Sequence, residues 1–140
     1  GLVLNATYYL GLMANACEAA GRAEDAQTYR DAAIAAAARC GEGWYEPELH
    51  RLRGDWLLRP TTDRPAEAEA SFRRAIDQAR RQGAAFWELR ATISLARHYA
   101  ATGRRDQVAV LLSPVIGIFK DGYPLAELDQ ARAILAASVS

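Results

Sequence analysis

Apolar positions recur at helical spacing through almost the whole chain. The pattern is clearest at Val108, Leu111, Leu112, Val115 and Phe119, which fall three or four residues apart and make one continuous stripe. Such a stripe predicts an amphipathic helix packed on its neighbours. Just upstream, Ala91, Leu95 and Tyr99 mark one helix face while Leu89, Ile93, Ala96 and Ala100 mark a second. A helix apolar on two sides is expected to be sandwiched between others. Read in this way, the chain predicts seven helices, over about residues 2–20, 24–39, 45–58, 65–82, 84–102, 105–119 and 124–137. In the fourth, Glu67 and Glu69 open the helix and Arg80 and Arg81 close it, the arrangement that complements the helix dipole.

Glycines set the rhythm. Gly41, Gly83 and Gly122 each follow a long periodic segment, as C-terminal caps do, at spacings of 42 and 39 residues. Gly21 and Gly103 are expected to turn the chain inside the units so defined. The middle unit uses instead the longer connection from Arg59 to Arg64, with Pro65 at the first helical position. A period near 40 with two helices per unit is the mark of a helical repeat array, in which no unit buries its apolar face alone. The expectation is an all-α fold, an α-solenoid of three helical hairpins plus a C-terminal helix, forming one domain over residues 1–140.

Composition agrees with that class. The chain has 140 residues, enough to bury a core without staples. Its 30 alanines against 17 Val, Ile and Thr residues favour helix over strand. Seventeen basic residues balance seventeen acidic ones, so no global field draws the molecule to nucleic acid or to an anionic membrane. No run approaches the roughly 20 apolar residues of a membrane span, and a cytoplasmic location is expected. Because the chain opens at Gly1 without Met and is helical in pattern almost at once, it reads as a piece of a longer protein.

Residues Leu95, Ala96, Tyr99, Gly103, Val108, Leu112 and Val115 fall in the order and spacing of a tetratricopeptide repeat. Ala14, Cys17, Gly21, Ala26 and Ala33 repeat the pattern upstream, with Tyr29 one position early for the usual aromatic. Gly54, Leu57, Ala68, Phe72 and Ala75 form a middle copy, stretched by two residues in its loop. The chain therefore resembles this family over nearly its whole length, although its period exceeds the usual 34. Cys17, Val108 and Leu112 also stand where alanine or an aromatic is usual. More narrowly, the string from Gly43 to Gly54, then Ala66–Glu69 through Phe72, then Trp87–Ala91 resemble the C-terminal repeats of large bacterial regulators. Those regulators carry a predicted P-loop ATPase, often behind an adenylate cyclase or DNA-binding output domain. The resemblance implies a repeat module on a signalling ATPase, not the ATPase or cyclase itself.

Motifs that carry chemistry are missing. Cys17 and Cys40 would lie roughly 20 Å apart in height along an antiparallel helix pair, beyond disulfide reach, and read as free thiols. Glu46 and His50 share a helix face at a spacing of four, but Glu48 points elsewhere, leaving fewer ligands than zinc takes. There is no zincin motif, dinucleotide or phosphate loop, or nucleophile elbow, so neither an enzyme, a cofactor nor a metal is expected. Arg73, Arg74, Arg80 and Arg81, with Asp77 among them, read as a solvated helix surface rather than a nucleic-acid site, and so do Arg104 and Arg105. Trp44, Trp56, Phe86 and Trp87 read as core.

Transfer of the family's groove positions implies Tyr8, Asn15 and Glu18, then Glu48, Arg51 and Asp55, then Arg90, Ile93 and Arg97 as a partner-binding surface. The function expected is a protein-interaction or regulatory module of a larger bacterial signalling protein. It would bind a protein or peptide partner, or the parent's own ATPase domain, with Arg51, Arg90 and Arg97 giving polar specificity. The end helices each lack one neighbour, so a homodimer is also expected to be open to this chain. The competing expectation is a small-ligand sensor whose groove closes on a metabolite, with Tyr8, Tyr99 and the tryptophans lining an apolar cavity.

Overall fold

The computed structural model describes residues 6–40 and 43–140, apart from the side chains of Ala6 and Cys40. The fold is all-α. Helix α1 runs over Ala6–Ala19, α2 over Ala23–Cys40, α3 over Glu46–Leu57 after a single 3-10 turn at Gly43–Tyr45, and α4 over Pro65–Gln82. Then come α5 at Ala85–Ala101, α6 at Asp106–Ile116 and α7 at Ala126–Ser138. No strand occurs among the described residues. The predicted start of the first helix at residue 2, and the cap expected at Gly41, lie outside them.

Local signals explain most boundaries. Pro65 occupies the first turn of α4, where its missing N–H is an orphan in any case. Gly83 closes that helix with φ at 65°, and its N–H and that of Ala84 bond back to the carbonyls of Arg80 and Ala79, as in a left-handed cap. Gly21 and Gly103 turn the first and third hairpins with φ of 76° and 82°. The sixth helix is shorter than expected. It stops at Ile116, with Gly117 as its cap at φ −64°, and Gly122 takes its positive φ in the following turn instead. Pro114 stands in the last turn of α6 and lacks the N–H that would bond back to Val110. Beyond it, Ile118 and Phe119 bond only three residues back, to Val115 and Ile116, so the chain leaves the α-helix before Phe119.

Each helix packs on the next in sequence, and α5 packs in addition on α3 and α7. This makes α5 the central element, as its two apolar faces require. Leu89, Ala91, Ile93, Leu95, Ala96 and Tyr99 are all buried. They join Leu57, Phe72 and Ile76 on one side and Val108, Leu112, Val115, Leu128 and Ala131 on the other in a single core. Each fully buried large apolar side chain there contributes about 1.5–3 kcal/mol. In the first hairpin Ala14, Cys17, Ala26, Ala33, Ala36 and Ala37 are buried, so α1 and α2 meet through small side chains. Cys17 is a buried free thiol.

Candidate functional site

The face shared by α3, α5 and α7 holds a network of charges. Glu48, in the first turn of α3, is buried and accepts from two guanidinium groups. Arg51 Nε reaches its Oε2 at 2.9 Å, and Arg90 NH2, from α5, reaches its Oε1 at 3.1 Å. Arg51 NH1 continues to Asp55 Oδ2 at 2.8 Å and to Ser94 Oγ at 3.4 Å. Arg90 NH1 continues to Glu127 Oε1 of α7 at 3.1 Å, and Arg97 NH2 donates to Gln130 Oε1 at 3.1 Å. Burial works against the Arg51 charge, but the hydrogen bond and the charge of Glu48 outweigh it and hold its pKa above the ordinary value. Desolvation raises the pKa of Asp55 against the opposing pull of Arg51.

Six of the nine expected groove positions are thus neighbours. Glu48, Arg51, Asp55, Arg90 and Arg97 belong to the network, and Ile93 lies buried beneath it. Arg51 and Arg90 are occupied by internal carboxylates, which leaves Arg97 as the guanidinium in this group with no ion pair among the described residues. Ser94, Glu127 and Gln130 complete the face and were not expected there. The cleft between Arg51, Arg90, Ile93, Ser94, Arg97 and Gln130 is small, about 60 Å³.

The three α1 positions serve other contacts. Glu18 accepts from Arg30 NH2 at 3.2 Å and pairs with Arg59, tying α1 to α2 and to the end of the second hairpin's first helix. Arg30 is almost wholly buried, and its Nε and NH1 have no hydrogen-bond partner among the described residues. Desolvation lowers its pKa, opposed first by the charge of Asp55. Asn15 hydrogen-bonds the Tyr45 side chain, whose pKa is raised, first by burial and then by the charge of Glu48. Tyr8 leaves this network and joins an aromatic edge.

That edge corrects the expectation that Trp44, Trp87 and Phe86 are core, whereas Trp56 packs against the core as expected. Trp44 is 51% exposed and Phe86 36% exposed, while Trp56 and Trp87 are half-buried. Tyr8 stacks on Trp44 with ring centres 5.9 Å apart, Trp44 meets Tyr45 at 5.4 Å, Tyr45 meets Trp87 edge-on at 5.7 Å, and Trp87 meets Phe86 at 5.1 Å. Arg90 lies over the Phe86 ring at 5.8 Å, so the aromatic run adjoins the charged face. Trp44 sits in the 3-10 turn before α3, and Phe86 in the first turn of α5.

The remaining candidates have structural partners. His50 Nε2 and Glu46 Oε1 are 3.4 Å apart on one face of α3, and Glu48 points away from them, as expected. Burial pushes the His50 imidazole below its ordinary pKa, against the hydrogen bond that Glu46 accepts from it. Arg80 pairs not with Asp77 but with Glu88 at 2.8 Å, because the Gly83 turn brings the start of α5 beside the end of α4. Glu69 accepts from Arg104 and lies 3.0 Å from His98 Nε2, while the Arg104 guanidinium covers the Tyr99 ring at 4.1 Å. Tyr99 itself is 1% exposed, part of the core and not of a cavity wall. Among the described residues no group of three His, Cys, Asp or Glu side chains converges to hold a metal ion. No described helix is long and apolar enough to cross a membrane. No protein-family model, curated protein or solved structure matches the chain.

Proposed function

We propose that this chain is a tetratricopeptide-like helical repeat module, non-catalytic in itself, that binds a protein partner or an ATPase domain of its own parent in a bacterial signalling protein. Packing of α1 on α2, α3 on α4 and α5 on α6, with α7 closing the series, is the contact order such an array requires. The observation that carries the binding role is the aromatic run from Tyr8 through Trp44, Tyr45 and Trp87 to Phe86, bordering the α3/α5/α7 face. Exposed Trp and Tyr beside a guanidinium are the side chains that dominate protein–protein binding energy. Arg97, with no ion pair among the described residues, supplies a polar anchor on the adjoining face, about 16 Å further along α5 from Phe86. The cleft on the α3/α5/α7 face is about 60 Å³, far below the ~300 Å³ of small-molecule pockets, and the larger one of about 420 Å³ at Trp44 and Trp87 is a shallow hollow open along the aromatic edge. A partner laid across the face suits it better than a metabolite enclosed by it.

The test is site-specific photo-cross-linking of the parent protein, with the reactive residue placed at Trp44, at Phe86 or at Val110. Val110 is more open to water than either, at 74% exposure, but lies on α6. A common cross-linked partner at positions 44 and 86, absent at 110 and lost in an Arg97→Ala background, is expected. Equal yields at all three positions would remove the aromatic edge as the binding surface.

A further inference from the structure

Helix α3 carries a second chemistry on its other side. Successive residues turn by about 100°, so His50 and Arg53 point away from Glu48, Arg51 and Asp55. There α2 and α4 both pack on α3 and leave between them a cleft of about 360 Å³, within the size range of ligand sites. Its floor is His50 and Arg53. Asp31, Ile34, Ala35 and Ala38 of α2 form one wall, and Ala70, Ser71 and Arg74 of α4 the other. The small alanine side chains on both walls keep the space open.

The charges of this cleft favour an anion. Arg74 has no ion pair among the described residues. Arg53 donates from NH1 to Ser71 Oγ at 2.8 Å, while its approach to Asp31 is a long 3.7 Å, with the aspartate side chain 59% exposed. Both arginines act on the buried His50 in the same sense, each making its protonation harder. Glu46 opposes them at the imidazole, and within the cleft lining itself two guanidinium groups face the single carboxylate of Asp31. Beside these groups, Ile34, Ala35, Ala38 and Ala70 offer apolar surface.

We propose that the cleft between α2 and α4 is a binding site for a small organic oxyanion. Its phosphate or carboxylate head is held by Arg53, Arg74 and the Ser71 hydroxyl, and its compact apolar body lies on Ile34 and the alanines. Bidentate oxyanion recognition is the chemistry that guanidinium groups provide. The site is separate from the aromatic edge and does not rest on the partner-binding reading.

The experiment is calorimetric titration of the protein with inorganic phosphate, phenyl phosphate and benzoate at constant chloride. The phosphate and carboxylate arms tell the two head groups apart. Saturable binding of phenyl phosphate or benzoate is expected, weakened about tenfold by Arg74→Gln, the loss of one charge-assisted contact. Arg97→Gln, on the opposite face, should leave it unchanged. Because Arg74 is exposed and has no ion pair among the described residues, that variant should fold as the wild type does. Movement of the His50 imidazole resonance during titration gives a second readout. The site is overturned if no probe saturates above the chloride background, or if Arg74→Gln and Arg97→Gln weaken binding equally. Phenyl phosphate binding no tighter than inorganic phosphate would overturn its apolar half.

Discussion

Gly54 of α3 lies directly under the ring of Phe72 of α4. A Cβ built on Gly54 would stand 2.6 Å from Phe72 Cδ1 and 2.9 Å from its Cζ, closer than real Cβ atoms come to a neighbour. Phe72 is fully buried and has no space to retreat. The second hairpin therefore closes by direct contact of an aromatic ring with bare backbone.

Gly54→Ala should for this reason destabilise the protein by about 1–3 kcal/mol, the usual cost of overpacking. In an open helix interior the same change would stabilise by about 1 kcal/mol. Denaturant unfolding measures the sign. Phe72→Leu in the Gly54→Ala background should recover part of the loss, and a Gly54→Ala protein more stable than wild type would show that the ring does not press on the helix.

Glu48 and Glu127 both accept from Arg90, but their burial differs, with side chains 7% and 20% exposed. Glu48→Ala removes the carboxylate that Arg51 and Arg90 share, leaving them only the more exposed Asp55 and Glu127, and should cost about 1.5–3 kcal/mol. Glu127→Ala leaves Arg90 its bond to Glu48 and should cost about 1 kcal/mol or less. Similar losses for the two variants would mean that Glu48 is not the hub of the network.

Acid should weaken the fold in two stages. Burial holds the folded-state pKa of His50 below its ordinary 6.5, so the unfolded chain takes up that proton first. Stability present above about pH 6.5 is lost as the pH falls from there through the folded-state value. The hydrogen bond from Arg104 holds Glu69 below its ordinary 4.5, and its contribution is lost as the pH falls below that value. Asp55, with its pKa raised by burial, acts in the opposite sense in the acid range. Thermal melts of wild type and His50→Gln between neutral and mildly acid pH should differ in slope, with the variant flatter. Parallel curves would place His50 in a more open setting.

Leu128 and Ala131 are the two buried residues of helix α7, with Leu125, Ile134 and Leu135 partly buried against the same core. Leu128→Ala should cost about 2–5 kcal/mol, and Val139→Ala, at a site 78% exposed, should change nothing measurable. If Leu128→Ala is silent in global unfolding but speeds amide exchange within α7, the helix frays as its own unit.

Helical periodicity made the α5 and α6 faces legible, because the spacing of apolar side chains is a local property of the chain. Gly21, Gly83 and Gly103 were legible as turns for the same reason, since a left-handed φ is a demand on one residue. Phe119 shows the limit. It continues the α6 stripe in spacing, yet Pro114 and Gly117 end the helix before it.

The candidate sites were less legible in proportion to how far apart in sequence their members stand. Glu48, Arg51 and Asp55 share an α3 face by spacing alone, but that Glu48 would draw in Arg90, and Arg90 draw in Glu127, depends on how α3, α5 and α7 pack. The exposure of Trp44 and Phe86 depends likewise on which neighbours cover a helix start, and Arg80 found Glu88 instead of Asp77 because a turn folded α5 back beside α4. Backbone periodicity and glycine stereochemistry act within a few residues and are written in the order of the chain. Ion-pair partners, clefts and exposed rings arise from distances between helices, which exist once the helices have packed.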